Sequence, residues 1–135
     1  MKRLLIIALL IALSSIATAQ SKKKLKENAV KTQTVWKHSF KNGAEVKFKE
    51  AEYAFDEKGR TILEKEFDEQ GFVIRHMEYV FDGAGNLTTE TTYNPKGQII
   101  RKEVTQYNGN LKVERKIYGP DGKLKTRKVY EYTKH

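Results

Sequence analysis

Polar and apolar side chains alternate along most of the chain after residue 32, in short segments separated by turn-forming residues. The segments are rich in Val, Ile, Thr, Tyr and Phe, which favour strands. An alternation with a period of two predicts β-strands, because successive side chains of a strand point to opposite faces of its sheet. The pattern predicts eight strands, near residues 33–40, 45–55, 60–67, 72–81, 86–93, 98–107, 110–118 and 123–132.

The segments between these strands share one motif, an Asp or Asn followed three residues later by Gly. Its four complete copies are Asp56 to Gly59, Asp68 to Gly71, Asp82 to Gly85 and Asn94 to Gly97, and the shorter relatives are Asn42-Gly43, Asn108-Gly109 and Asp121-Gly122. Asx side chains bond to the backbone two residues on, and glycine adopts positive φ without a Cβ clash. The motif therefore predicts tight turns. An aromatic residue precedes the Asx in five copies, at Phe55, Phe67, Phe81, Tyr93 and Tyr107.

Seven tight turns between eight consecutive strands predict an all-β fold, an antiparallel β-meander. We expect an open, twisted, single-layer sheet, because only about 33% of the residues after position 19 are apolar and they cannot fill a thick core. A closed eight-stranded up-and-down barrel is the alternative, and it would pair the first strand with the last. Both strands are rich in Lys, and like charges facing each other destabilise a ladder, whereas Lys on an open edge hinders aggregation.

Residue parity predicts which side chains share a face of the sheet. In the third to seventh strands most aromatic and large aliphatic residues occupy odd positions, while Glu64, Glu66, Glu78 and Glu90 occupy even ones. Because side chains alternate across a strand, we expect the odd residues to form one face and the even residues a more polar one. Neither face is free of charge, which fits a thin layer held by cross-strand pairs of about 0.2–1 kcal/mol each.

The first nineteen residues have the three parts of a secretory signal peptide. Lys2 and Arg3 precede an unbroken apolar run over residues 4–13, and residues 17–19 have the form Ala-x-Ala, which predicts cleavage between Ala19 and Gln20. The run is short for a membrane-spanning helix, and the chain has no Cys that could carry a lipid anchor. We therefore expect an exported protein, periplasmic or extracellular, that is not a lipoprotein and keeps no integral membrane segment after cleavage.

The charge is unevenly distributed along the chain. Residues 21–49 carry a net charge of +7, residues 50–90 carry −7, and residues 111–135 carry +5. The predicted organisation is a signal peptide over 1–19, a basic flexible segment over 20–32, a β-repeat domain over 33–132 and a tail over 133–135. We expect no nucleic-acid partner, because the chain is predicted to be exported and its basic residues surround no reading motif.

Two units of the chain resemble a known repeat family. The units Tyr53-Ala-Phe55-Asp56-Glu-Lys-Gly59-Arg60 and Tyr79-Val-Phe81-Asp82-Gly-Ala-Gly85-Asn86-Leu87 resemble the tyrosine–aspartate (YD, RHS-type) repeat, whose core reads Tyr-x-Tyr/Phe-Asp-x-x-Gly-x-Leu. Later units are similar to the related MORN-type variant repeats, in which Asn-Gly-x-Leu follows an aromatic residue. The resemblance covers residues 50–125. It implies a β-hairpin array, and large proteins of this family are exported and linked to carbohydrate binding.

No combination of residues predicts catalysis. Cys is absent, and His38, His76 and His135 lie on separate segments. The Asp residues of the turns lack the spacing of a calcium loop, and no nucleophile elbow or phosphate loop occurs. We expect no enzyme activity, no metal site and no cofactor. A small hydrolase that uses two of the even-position glutamates is a distant alternative.

Aromatic residues outside the repeat position are the candidate binding residues: Trp36, Tyr118, Tyr130 and Tyr132. Such rings stack on sugars or pack at protein interfaces. The sequence favours a non-catalytic exported module that binds a cell-envelope partner, either a protein or a glycan. The alternative is a structural protein that forms homo-oligomers through an edge or a face of the sheet.

The cleavage site gives a direct prediction. Mass spectrometry of exported material should detect a chain that begins at Gln20 and lacks residues 1–19. Recovery of an intact chain with Met1 from the cytoplasm would contradict the predicted localisation.

Overall fold

The computed structural model describes residues 22–135, and the predicted signal peptide with its cleavage site at Ala19 and Gln20 lies outside the described residues. Residues 22–27, within the basic segment over 20–32 predicted to be flexible, form a short helix. Eight strands follow: β1 (Thr32–Lys41), β2 (Ala44–Phe55), β3 (Thr61–Phe67), β4 (Val73–Phe81), β5 (Leu87–Tyr93), β6 (Ile99–Asn108), β7 (Leu111–Tyr118) and β8 (Leu124–Val129). These bounds lie within three residues of the predicted ones.

The strands form one open antiparallel sheet in the order β1 to β8. The predicted meander is thereby confirmed. The closed alternative is excluded, because β1 pairs only with β2, and β8 pairs only with β7. The two Lys-rich strands are therefore the two edges of the sheet, where their charges do not face each other across a ladder.

The four complete Asx-x-x-Gly turns share one hydrogen-bond pattern. At Asp56 the Oδ1 atom accepts from the N–H of Lys58 at 3.0 Å and from the N–H of Arg60 at 2.9 Å. The turns that begin at Asp68, Asp82 and Asn94 repeat both bonds at the same distances. In each of the four turns the glycine has positive φ. One Asx oxygen thus accepts from two backbone N–H groups of the turn, which would otherwise bond only to water.

Two of the remaining turns are two-residue loops, whereas the last turn has the same five-residue length as the complete motif, with Gly119 in the Asx position. Asn42 and Gly43 both have positive φ, as a two-residue type I′ turn requires. At the next such site Asn108 pairs with Leu111, so the loop is Gly109-Asn110 and only Gly109 has positive φ. That is the type II′ pattern, with glycine in the first loop position. In the last turn Asp121 accepts from the N–H of Lys123 at 3.0 Å.

A β-bulge follows six of the seven turns, and it overturns the predicted assignment of faces. Between β2 and β3, Ala54 pairs with Leu63 and Phe55 with Thr61, which leaves Ile62 as an extra residue. Equivalent shifts leave one extra residue in each later hairpin, namely Ile74, Thr88, Ile100, Val113 and Lys125. From β2 to β6, the pair next to each turn keeps the same parity, but the pairs beyond each bulge have opposite parity, as Ala54 and Leu63 do.

The register instead defines two faces by the residues that pair across the strands. The front face carries the row Tyr53, Glu64, Met77, Thr92 and Arg101, and the back face carries the row Ala54, Leu63, Glu78, Thr91 and Lys102. The prediction that Glu64, Glu66, Glu78 and Glu90 share a face is wrong for Glu78. That residue lies on the back face, while the other three lie on the front face.

Very little apolar surface is fully enclosed in this single layer. The buried apolar residues are Ala51, Phe55 and Met77, and the buried polar residues are Thr91 and Glu103. Four of these five lie on or continue the front face. The front face is therefore the less solvent-exposed side of the sheet.

The short helix packs against the turn between β2 and β3. A Cβ atom added at Gly59 would clash with the carbonyl oxygen of Lys22 and lie 3.0 Å from the backbone nitrogen of Lys26. The chain then continues into β1, and the carbonyl of Lys31 accepts from the N–H of Phe55 at 2.8 Å. Gly59 thus meets two requirements, a positive φ and the close approach of another backbone.

The two requirements at Gly59 can be separated by comparison with Gly97. Both have positive φ, but nothing lies within 4 Å of a Cβ added at Gly97. We expect Gly97→Ala to lower the free energy of unfolding by about 1–3 kcal/mol, and Gly59→Ala to lower it further because the helix is displaced. Urea melts measure both. In a variant that lacks residues 20–30 the two losses should be equal; equal losses in the full mature chain would contradict the docking.

Candidate binding groove

A groove of about 610 Å³ lies on the front face over β1 to β4. This volume falls within the range of about 300–1,000 Å³ that is typical of ligand sites. Its apolar lining residues are Val35, Phe48, Ala51 and Tyr53, with Phe67 and Ile74 at the end beside the turn between β3 and β4, where the alternation along β3 places the Phe67 side chain on the back face. Its charged lining residues are Lys37, Glu50, Glu66, Asp68 and Glu69. The groove thus combines aromatic rings with carboxylates at an open surface.

A bulge in the first hairpin shapes this groove. Val35 pairs with Ala51 and Trp36 with Lys49, so Glu50 is the extra residue of β2. The extra residue reverses the alternation along β2, which places Phe48 on the same face as Ala51. Trp36 consequently lies on the back face, where the Nζ atom of Lys47 is 4.8 Å from the centre of its ring.

Two ion pairs neutralise part of the negative charge of the groove. The Nζ atom of Lys37 lies 3.6 Å from Glu50 Oε1 and 5.9 Å from the centre of the Phe48 ring. Lys41, at the end of β1, forms an ion pair of 2.6 Å with Glu69. Within residues 22–135, no Lys, Arg or His nitrogen lies within 4 Å of the Glu66 carboxylate. Negative charge therefore remains in excess at this position.

The wall beside Glu66 is a hydrogen-bonded cluster of acidic and phenolic groups. Tyr79 donates its O–H to Glu64 at 3.1 Å, and the Nε atom of Arg75 lies 3.2 Å from the same carboxyl group. Burial and the neighbouring Glu64 raise the pKa of Tyr79 to about 12. Burial, followed by the hydrogen bond and charge of Glu64, also raises the pKa of Glu66. The pKa of Tyr53 is raised by burial and then by the charge of Glu64.

The other half of the front face has the opposite charge. Glu103 on β6 is only 8% exposed, and Arg101 and Arg115 both pair with its carboxylate. Burial raises the pKa of Glu103, but the hydrogen bonds from Arg115 and Arg101 outweigh it and hold the pKa below its ordinary value. Lys128 on β8 pairs with Arg115 in the register. The Glu103 cluster thus lies between the acidic middle of the sheet and the basic strand β8.

The structure does not bring the four predicted binding residues together. Trp36 is 51% exposed on the back of β1, at one edge of the sheet. Tyr118 ends β7 and pairs with Leu124, while Tyr130 and Tyr132 follow β8 at the opposite edge. Tyr132 donates its O–H to the carbonyl of Lys112 at 2.8 Å. The aromatic residues that line the groove, Phe48 and Tyr53, were not among the candidates.

The histidines occupy separate sites. His38 pairs with Glu45 on the first hairpin, and His76 stacks on Tyr93 with ring centres 4.3 Å apart. In the part of the chain that the structure describes, no three His, Asp or Glu side chains form a set that could hold a metal ion. Among the same residues, no helix is long and apolar enough to cross a bilayer.

Comparison with known proteins adds no family assignment. A scan against protein-family models and a search of curated proteins each found no match. The functional argument therefore depends on the geometry and chemistry of the groove.

The Glu103 cluster gives a prediction about stability and pH. Because the pKa of Glu103 is lower in the folded protein than in the unfolded chain, its ion pairs stabilise the fold above the ordinary pKa, and this stabilisation is lost as the pH falls through the folded-state pKa. We expect Glu103→Gln to lower the free energy of unfolding by about 1–3 kcal/mol at pH 7. In urea melts from pH 7 to pH 3, the free energies of unfolding of wild type and variant should converge in acid. A difference that stays constant with pH would contradict the stabilising role of the Glu103 ion pairs.

Proposed function

We propose that this chain is an exported, non-catalytic module whose front-face groove binds a glycan of the cell envelope. The observation that carries the proposal is the combination in one open groove of aromatic rings, at Phe48 and Tyr53, with the carboxylates of Glu66 and Asp68. Aromatic faces stack on the apolar faces of sugar rings. Carboxylates accept hydrogen bonds from sugar hydroxyl groups.

The arrangement of the carboxylates favours binding over hydrolysis. Glycosidases place two carboxyl groups on opposite sides of the scissile bond, about 5–9.5 Å apart across a cleft. Here Glu64 and Glu66 lie two residues apart on one face of β3, and Arg75 and Tyr79 hold Glu64 in place. We therefore propose a binding role and no catalytic one.

Two sequence features support the envelope as the location. The predicted signal peptide would export the chain, and Asx-x-x-Gly units like those at Asp56 and Asp82 resemble repeats of large exported proteins linked to carbohydrate binding. Both features are independent of the groove. The location and the ligand class are therefore proposals that can fail separately.

Self-association is a second candidate function, and one group of exposed side chains favours it. Phe40 is 75% exposed, Phe72 69% and Ile74 62%, and all three lie at the end of the sheet where the Lys41–Glu69 ion pair joins two turns. Such a group of apolar side chains is typical of an interface. Light scattering of the mature chain tests this candidate, and a monomer at high concentration would contradict it.

A glycan array followed by calorimetry tests the main proposal. We expect the mature chain to bind at least one envelope glycan and Tyr53→Leu to lower its affinity about tenfold, or about 1.4 kcal/mol, because the leucine keeps apolar bulk but removes the ring. Tyr132→Leu at the opposite edge is the matched control and should retain affinity. Thermal melts of both variants report folding.

The reverse result would place the site elsewhere. If Tyr132→Leu loses affinity and Tyr53→Leu keeps it, the ligand binds at the β8 edge and the assignment of the groove is wrong.

A further inference from the structure

We infer that the glycan bound in the groove carries free amino groups, as in a partly or fully de-N-acetylated hexosamine polymer. This inference rests on the proposed function and names the ligand class of the same site. Its starting observation is that the groove already holds an ammonium group of the protein itself. The Nζ atom of Lys37 lies near the face of the Phe48 ring and beside the Glu50 carboxylate.

The geometry around Lys37 is that of an ammonium-binding site. An aromatic face within about 6 Å attracts a cation through the quadrupole of the ring, and a carboxylate at hydrogen-bond or ion-pair distance adds a direct charge interaction. The distances here are 5.9 Å to the centre of the Phe48 ring and 3.6 Å to Glu50 Oε1. Because the Lys37 side chain is about half exposed, solvent screens the pair and an incoming amine can displace it.

The charge of the remaining lining favours a cation over a neutral or anionic sugar. The lining holds four carboxylates, Glu50, Glu66, Asp68 and Glu69, and one ammonium group, Lys37. Lys41 pairs with Glu69 from the end of β1, and an excess of negative charge still remains at Glu66 and Asp68. An acidic glycan would be repelled by this excess. A neutral glycan would leave it uncompensated, whereas an amino sugar would place its charge beside Glu66, which has no Lys, Arg or His partner within 4 Å among residues 22–135.

A basic peptide is the other cationic polymer that could be considered, and the position of the groove disfavours it. Peptides that bind to sheets add to an edge strand, where unpaired backbone groups give them main-chain hydrogen bonds. This groove lies on a face, and most of its lining comes from β2, β3 and the turn after β3, while the edge strand β1 contributes only Val35 and Lys37 to it. It offers side chains and rings, which suit the hydroxyl and amino groups of a sugar.

The test compares two oligosaccharides of equal length by calorimetry with the mature chain at pH 6: a glucosamine hexamer and its fully N-acetylated counterpart. We expect the glucosamine hexamer to bind at least tenfold tighter. The advantage should decrease as salt rises and disappear at pH 9, where the sugar amines are neutral.

Two variants report on the charges of the groove. Lys37→Met removes the internal ammonium group and should tighten binding of the glucosamine hexamer several-fold, a gain that damage to the fold would not produce. Glu66→Gln should weaken that binding about three- to tenfold and leave the N-acetylated hexamer unaffected. Lys128→Met, at the far edge of the sheet, is the control and should change neither.

Each other outcome overturns one proposal. Equal or tighter binding of the N-acetylated hexamer, or no gain in Lys37→Met, overturns the amine inference and leaves the glycan function standing. Groove-dependent binding of oligolysine without binding of any sugar overturns the glycan function, as does failure of both hexamers together with a blank glycan array.

Discussion

Backbone hydrogen bonds join each strand of this sheet only to the strands next to it in sequence, and in the part of the chain that the structure describes no second layer of strands covers either face. Stability must therefore be generated within one hairpin or between two adjacent hairpins. The Asx side chains accept hydrogen bonds from the backbone N–H groups of the turns. The aromatic residue before each complete turn pairs with the residue after it, as Phe81 does with Leu87. Among residues 22–135 the buried apolar residues are Ala51, Phe55 and Met77, and the ionic clusters of the front face supplement this small core.

The strands and turns could be predicted from the sequence because both are local properties. The Asp56, Asp68, Asp82 and Asn94 turns form from five consecutive residues each, and the alternation between turns has no competing helical period. The faces could not be predicted in this way. An extra residue such as Ile62 or Ile74 reverses the alternation, and its position depends on pairing with another strand.

The groove shows the same limit at the level of function. Its shape depends on the bulge at Glu50, and nothing in residues 44–55 distinguishes that glutamate from its neighbours. Parity alone could not decide that Phe48 joins Ala51 on the front face or that Trp36 lies on the back. The short N-terminal helix was missed for a similar reason, since the glycine that accommodates it, Gly59, lies more than thirty residues later in the sequence.

The alternation of faces also sets the step by which such a chain can lengthen. Phe55, Phe81 and Tyr107 lie on the front face beside turns at the same end of the sheet, and 26 residues separate each from the next. Phe67 and Tyr93 are also 26 residues apart, on the back face at the other end. A duplication of 26 residues would therefore extend the sheet and keep every aromatic ring on its face, whereas a duplication of a single strand and turn would invert all that follows. The smallest segment that can be duplicated without changing the faces is therefore the pair of strands.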